Sequence, residues 1–248
     1  MTEPTNPEEL SSRWLTQALG FAVEDFAVEY FSEGAGVMAW VMRLRLKTAP
    51  GLPDTVIAKF PSPAEANREV ALTYDMYERE IDFYRDIAGN IALQTPQCYH
   101  ASFEHETQQF VLLMEDIGHL RIGDQVAGCN LTEVKAVLDA LAQMHASGWG
   151  ADKFPGLRSH DNPAQRAGMV GAVGFGWPVI LEQFGEYVPD VAKAAVDRLP
   201  AAVPRLLEQM CDGPVCLTHA DVRLDNIFFN DDGTQAQFVD WQSVCTSA

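Results

Sequence analysis

The sequence predicts an α+β fold: an antiparallel sheet with a helix in the first half, a mainly helical second half, and a β-hairpin near the end. Three observations carry this. Short β-rich runs separated by Gly and Pro fill residues 26–60, apolar residues recur at helical spacing over 64–88 and 131–147, and two apolar runs flank a turn at Asn230-Asp231-Asp232-Gly233.

Pro4 to Leu19 reads as one N-terminal helix, with Asn6 as its cap, Pro7 in its first turn and Gly20 as its stop. Residues 26–60 suggest two or three strands, and Gly34 and Gly36 lie between the first two, where a hairpin turn lets the backbone approach a ligand. Thr55-Val56-Ile57-Ala58-Lys59-Phe60 is the last of these strands, with one charge inside it, and Pro61 ends it. A long helix is expected from about Ala64 to Ala88, because Val70, Tyr74, Tyr77, Ile81 and Tyr84 form one apolar stripe.

Phe110-Val111-Leu112-Leu113-Met114-Glu115-Asp116-Ile117-Gly118 runs five apolar residues into two acids and a glycine, the pattern of a buried strand emerging into a connector or an ordinary loop. Leu131 to Ser147 is an amphipathic helix capped by Asn130 or Thr132 and closed by Gly148. Residues 149–178 are rich in Gly, Pro, Asp and Asn and read as a loop or insertion. Within them Gly171-Ala172-Val173-Gly174-Phe175-Gly176 has no strand before it, so it is read as a linker and not as a dinucleotide loop. A helical stretch follows from Pro178 to Gln209, broken near Pro189 and Pro200.

Composition bounds the function. At 248 residues, 47% hydrophobic and 21% charged, the chain fits one globular domain of two lobes, and no apolar run reaches the roughly eighteen residues that a membrane helix needs. A net charge of −18 argues against nucleic-acid partners, whose phosphates it would repel. The N-terminus lacks a basic-then-apolar leader, so the expected location is cytoplasmic. The five cysteines are an odd number without a C-x-x-C, which suits reduced thiols better than a disulfide frame or zinc site.

The chemistry concentrates in His219-Ala220-Asp221-Val222-Arg223-Leu224-Asp225-Asn226 and Phe238-Val239-Asp240-Trp241-Gln242. If Ile227-Phe228-Phe229 pairs with the run Thr234 to Val239, Asn226 and Asp240 meet at the open end of the hairpin. Their amide oxygen and carboxylate are hard donors suited to Mg2+, and Asp221, on the loop feeding the hairpin, faces the same point without being a ligand. That position suits a base, or an orienting acceptor, for a substrate hydroxyl. No G-x4-G-K-[ST] occurs, which disfavours a Walker-type NTPase.

The spacing H-x-D-x4-N, with an aspartate fourteen residues after the Asn, resembles the catalytic and metal loops of the protein-kinase-like fold. The form H-A-D-V-R-L-D-N-I-F-F with V-D-W-Q is more similar to its small-molecule branch, the aminoglycoside phosphotransferase, choline kinase and ecdysteroid kinase-like families. Those usually carry Gly where this chain has Ala220. Val56-Ile57-Ala58-Lys59 is close to the V-A-I-K strand, and Glu80-Ile81-Asp82-Phe83-Tyr84 resembles the E-x-x-x-Y of the ecdysteroid kinase-like helix.

The resemblance implies a bilobal protein-kinase-like fold, with an N-lobe over residues 1–115 that includes the N-terminal helix and a C-lobe over 116–248. It implies an ATP-dependent phosphotransferase acting on a hydroxyl of a small molecule. Gly34 and Gly36 would cover the phosphates, Lys59 would contact them while Glu80 orients it, with Glu69 as the alternative partner, and Glu115 to Ile117 would dock the adenine. Asn226 and Asp240 would hold Mg2+, Asp221 would act on the hydroxyl, and Arg223 would either stabilise γ-phosphate charge or brace the loop. His219 is expected to brace the loop. Only eight residues follow Asp240, where such kinases carry several tens. An incomplete C-lobe with exposed apolar surface is therefore expected, and a catalytically impaired nucleotide-binding or interaction protein is the alternative.

Overall fold

The computed structural model describes residues 2–31, 38–150, 153–154 and 156–248. They form two compact units, Met1–Ser147 with His219–Val244, and Gly148–Thr218 with Cys245–Ala248. Among the described residues no helix is long and apolar enough to cross a membrane.

The first unit is built on a five-stranded antiparallel sheet: β1 (Asp25–Tyr30), β2 (Ala39–Lys47), β3 (Thr55–Pro61), β4 (Cys98–Glu104) and β5 (Gln109–Glu115), in the order β1-β2-β3-β5-β4. Alternation along the strands sets its two faces. Met42, Leu44 and Leu46 of β2 and Val56, Ala58 and Phe60 of β3 pack against Trp14, Leu15 and Leu19 of helix α1 (Ser12–Leu19). Lys59, between Ala58 and Phe60, is therefore turned to the opposite face.

Two expected helices are divided. The N-terminal stretch is a 3-10 turn at Pro7–Glu9, capped by Asn6, followed by α1 with its own cap, because the Ser11 hydroxyl accepts from the Trp14 N–H and restarts the helix. Gly20, at φ 76, ends it as expected. The long helix over 64–88 is α2 (Glu65–Thr73) and α3 (Met76–Asp82), continued by a π-helical turn at Phe83–Ile87. Asp75 breaks it at φ 54, a left-handed conformation that Asp reaches more readily than most residues. The break resets the buried face: Val70 is exposed while Tyr77, Ile81 and Tyr84 are buried. The Tyr77 hydroxyl accepts from the Ser62 N–H and donates to the Met38 carbonyl.

A three-stranded sheet completes this unit, with β6 (Arg121–Ile122), β8 (Ile227–Phe229) and β9 (Ala236–Phe238) in the order β6-β8-β9. Gly233 turns the hairpin at φ 70, with the Glu133 side chain against it. Helix α4 (Leu131–Ser147) begins with a capping box: the Asn130 side chain accepts from the Thr132 and Glu133 N–H groups, and Glu133 accepts from the Asn130 N–H.

The second unit holds α5 (Pro163–Phe184), α6 (Asp190–Val196), α7 (Leu199–Met210) and the antiparallel pair β7 (Cys216–Thr218) and β10 (Cys245–Ser247). The expected linker at Gly171–Gly176 lies inside α5. Asn162 caps that helix by accepting from the Gln165 N–H, and Pro163 sits at its first position. A strong start signal thus outweighs glycines whose individual cost is about 1 kcal/mol. The expected breaks near Pro189 and Pro200 are present: α6 begins directly after Pro189, and Asp197 and Arg198 separate α6 from α7, whose first turn holds Pro200. Apolar surface is exposed in this unit, with Phe175, Phe184, Tyr187 and Val191 all more than half accessible.

Candidate active site

Lys59 is the only charged residue of β3, and its side chain is 8% exposed. Its ammonium donates to both Glu80 oxygens, at 2.7 and 2.9 Å, and to Asp240 Oδ1 at 3.1 Å. Burial pushes the Lys59 pKa down, but Glu80 and then Asp240 outweigh it and hold the pKa above the usual lysine range. Glu80 is therefore the partner, and the Glu69 alternative is set aside.

The Asp240 backbone is left-handed, at φ 66 and ψ 61. Trp241 holds it there: its fully buried ring stacks on Phe83 at 3.7 Å, with the planes 6° apart, and its indole N–H donates to the Phe238 carbonyl at 3.3 Å. Asp240 Oδ2 accepts from the Gln242 amide at 2.9 Å.

On the other side of the hairpin mouth, the Asn226 amide N–H2 donates to Asp221 Oδ2 at 3.0 Å and to the Asp221 carbonyl at 3.1 Å. This turns the Asn226 amide oxygen away from Asp221. The Val239 N–H donates to the Asn226 carbonyl at 3.0 Å, so the hairpin mouth closes one residue before Asp240.

His219 is fully buried and ties the two halves together. Its Nε2 lies 3.0 Å from the Val239 carbonyl and its Nδ1 accepts from the Asp221 N–H at 3.3 Å, which requires the neutral tautomer with the proton on Nε2. Burial lowers its pKa to match. The imidazole thus braces the loop. Ala220, between His219 and Asp221, is at φ 63, in the left-handed region where glycine is unpenalised.

The other expected residues are placed as follows. Glu115 ends β5, its N–H donating to the Gln97 carbonyl and its carboxylate accepting from the Gln97 N–H, and Ile117 is buried in the segment that follows. Arg223 is on the surface: its guanidinium pairs with Asp225, while its backbone N–H donates to the Asp221 carbonyl at 3.0 Å and its carbonyl accepts from the Asn226 N–H at 2.9 Å. Gly34 and Gly36 lie outside the described residues.

Three contributors escaped the sequence reading. Gln125 braces the loop from the connector side, its Oε1 accepting from the Leu224 N–H and its own N–H donating to Asp225. Gln242 holds Asp240, and its position two residues further on was the available signal. Arg43, on β2, grips Asp116.

Among the described residues there is no cluster of three or more His, Cys, Asp or Glu side chains able to hold a metal. A cation at the hairpin mouth would take only Asn226 and Asp240 from the protein. That donor set fits Mg2+, which keeps water and phosphate oxygens as its other ligands, and does not fit a zinc-type cage.

Residues 33–153 match the sequence model of the ecdysteroid kinase-like family. No curated protein matches the chain. Among solved structures, the chain resembles the GDP and kanamycin complex of the aminoglycoside phosphotransferase APH(2'')-IIIa, with a TM-score of 0.55 at 12% identity over 93% of this chain and 71% of that one. It also resembles ADP-bound aminoglycoside phosphotransferase APH(2'')-Ib, with a TM-score of 0.51 at 13% identity over 95% of this chain and 70% of that one. At these identities the likeness is one of fold.

Proposed function

We propose that this chain, which has the protein-kinase-like fold of the small-molecule kinases, transfers the γ-phosphate of ATP to a hydroxyl of a small molecule. The observation that carries the proposal is the buried Lys59–Glu80 pair reaching Asp240, with Asn226 and Asp221 at the same hairpin mouth. A buried lysine matched by two carboxylates is costly to assemble for stability alone. It suits a site that receives polyphosphate.

Phosphoryl transfer needs positioning and charge stabilisation more than covalent chemistry from the protein. Lys59, held by Glu80, presents a fixed positive charge to the α- and β-phosphates. Asn226 and Asp240 would hold Mg2+, which neutralises charge on the β- and γ-oxygens when bound. Asp221 receives one hydrogen bond on Oδ2, leaving Oδ1 to accept from or orient the attacking hydroxyl. His219, accepting from the Asp221 N–H, and Gln125, bonded to Leu224 and Asp225, brace the loop that carries this carboxylate. Arg223 contributes to γ-phosphate charge only by leaving Asp225. The nucleotide complexes of the two aminoglycoside phosphotransferases support nucleotide use, and the kanamycin complex supports a hydroxylated, amine-bearing acceptor, which a net charge of −18 would attract.

The test is single-turnover transfer from γ-labelled ATP to a panel of hydroxylated amines, sugars and sterols. Labelled product with the wild type and a loss of about a thousandfold or more in Asp221→Asn, with nucleotide affinity unchanged, is expected. Absence of transfer to every acceptor, or undiminished transfer by Asp221→Asn, would overturn the proposal.

A further inference from the structure

We infer that Arg43 is a positioning residue for the base end of the nucleotide site, fixing the connector Glu115–Ile117 through a two-point grip on Asp116, with Gly118 as the space the grip requires. The inference rests on the phosphotransfer reading and deepens it.

Arg43 and Lys59 share a face of the sheet. In the β2–β3 register Val41 is opposite Lys59 and Arg43 opposite Ile57, and residues two apart on a strand point the same way. Arg43 Nε donates to Asp116 Oδ2 at 2.5 Å and Nη2 donates to Oδ1 at 3.2 Å, a bidentate fork across 73 residues of sequence. The Asp116 side chain is 8% exposed, and Arg43 is steadied from behind by Glu29 at 3.3 Å. Asp116 Oδ1 also accepts from the Gly118 N–H at 2.9 Å, so one carboxylate fixes both the strand exit and the turn after it.

Gly118 leaves the space that the fork occupies. Its backbone is outside the left-handed region, so its conformation does not demand glycine. A Cβ there would lie 2.7 Å from Arg43 Nη2 and 2.9 Å from Asp116 Oδ1, inside the grip itself. Arg43, Asp116 and Gly118 thus form one device whose output is the position of Glu115 and Ile117.

The readout is the part of ATP that the connector would touch. Affinities of the full chain for ATP and for inorganic tripolyphosphate, both with Mg2+, are compared in wild type, Arg43→Met, Arg43→Lys and Gly118→Ala. Arg43→Met and Gly118→Ala are expected to weaken ATP about tenfold while tripolyphosphate changes less than twofold. KM for ATP rises without a fall in kcat, and Arg43→Lys, which keeps the charge without the fork, is intermediate. Equal losses for both ligands would make the grip a general structural element and overturn the inference, as would no loss for either. If wild type binds neither ligand, the phosphotransfer reading falls with it; if wild type binds both and the variants do not differ from it, the inference alone falls. Gly118→Ala keeps the test decisive if Arg43→Met does not fold.

Discussion

Replacing Glu80 by Gln isolates the charge that holds Lys59. The side chain keeps its size and one acceptor oxygen, but the ammonium, 2.7 and 2.9 Å from the present carboxylate oxygens, is left with Asp240 at 3.1 Å as its charged partner. Breaking a buried pair usually costs about 3–5 kcal/mol. Because Asp240 still compensates Lys59, the expected loss is smaller, about 2–3 kcal/mol, which for a chain of this size lowers Tm by roughly 4–12 °C. The same variant should draw Lys59 toward Asp240 and away from phosphate, raising KM for ATP as well as lowering kcat. Thermal melting with paired steady-state kinetics measures both. A variant as stable as wild type with unaltered KM would show that Glu80 does not hold the lysine, and would refute the reasoning from geometry to function.

Three further outcomes follow from the loop. Ala220→Gly removes a left-handed strain of about 1–2 kcal/mol at the cost of about 0.5–1 kcal/mol of added unfolded-state entropy, so a net gain of roughly 0.5–1 kcal/mol is expected by denaturant unfolding. No gain, or a loss, would contradict the assigned backbone. His219 has a folded pKa below its unfolded value, so the unfolded chain binds the extra proton and stability falls as pH drops through about 6.5. His145 contributes in the same direction. The difference between wild type and His219→Gln isolates the loop histidine: the variant should lose less stability between pH 7 and 5, and identical slopes would remove the bracing role. Trp241→Ala empties the stack on Phe83 and should cost about 3–5 kcal/mol while releasing Asp240; a loss under about 1 kcal/mol would show that the indole does not fix the aspartate.

The parts of the site legible in the sequence are those where one residue type has few substitutes. A lone lysine inside a β-branched run and a glutamate beside a helical stripe announced the Lys59–Glu80 pair, and the two apolar runs announced the hairpin, whose register sets Asn226 opposite Val239, one residue before Asp240. The elements misread were decided by competing local signals. Asp75 breaks the stripe between Val70 and Tyr77 with a backbone conformation that periodicity cannot register. Ser11 divides the first helix by capping a second one. At Gly171–Gly176 the glycine content suggested a linker, yet Asn162 and Pro163 start a helix that runs through it. Arg43 was invisible for a different reason: its significance lies in a partner 73 residues away, and nothing in the spacing of Arg43 to Asp116 announces a bidentate grip.

The central claim is that Lys59, Asn226 and Asp240 form one site for a metal-bound polyphosphate, and calorimetric titration of ATP with and without Mg2+ tests it most directly. Wild type should bind ATP markedly more tightly with Mg2+, Asp240→Asn should lose most of that difference, and Lys59→Met should weaken binding in both conditions. Binding that ignores Mg2+ in wild type, or is unaffected by either substitution, would contradict the account.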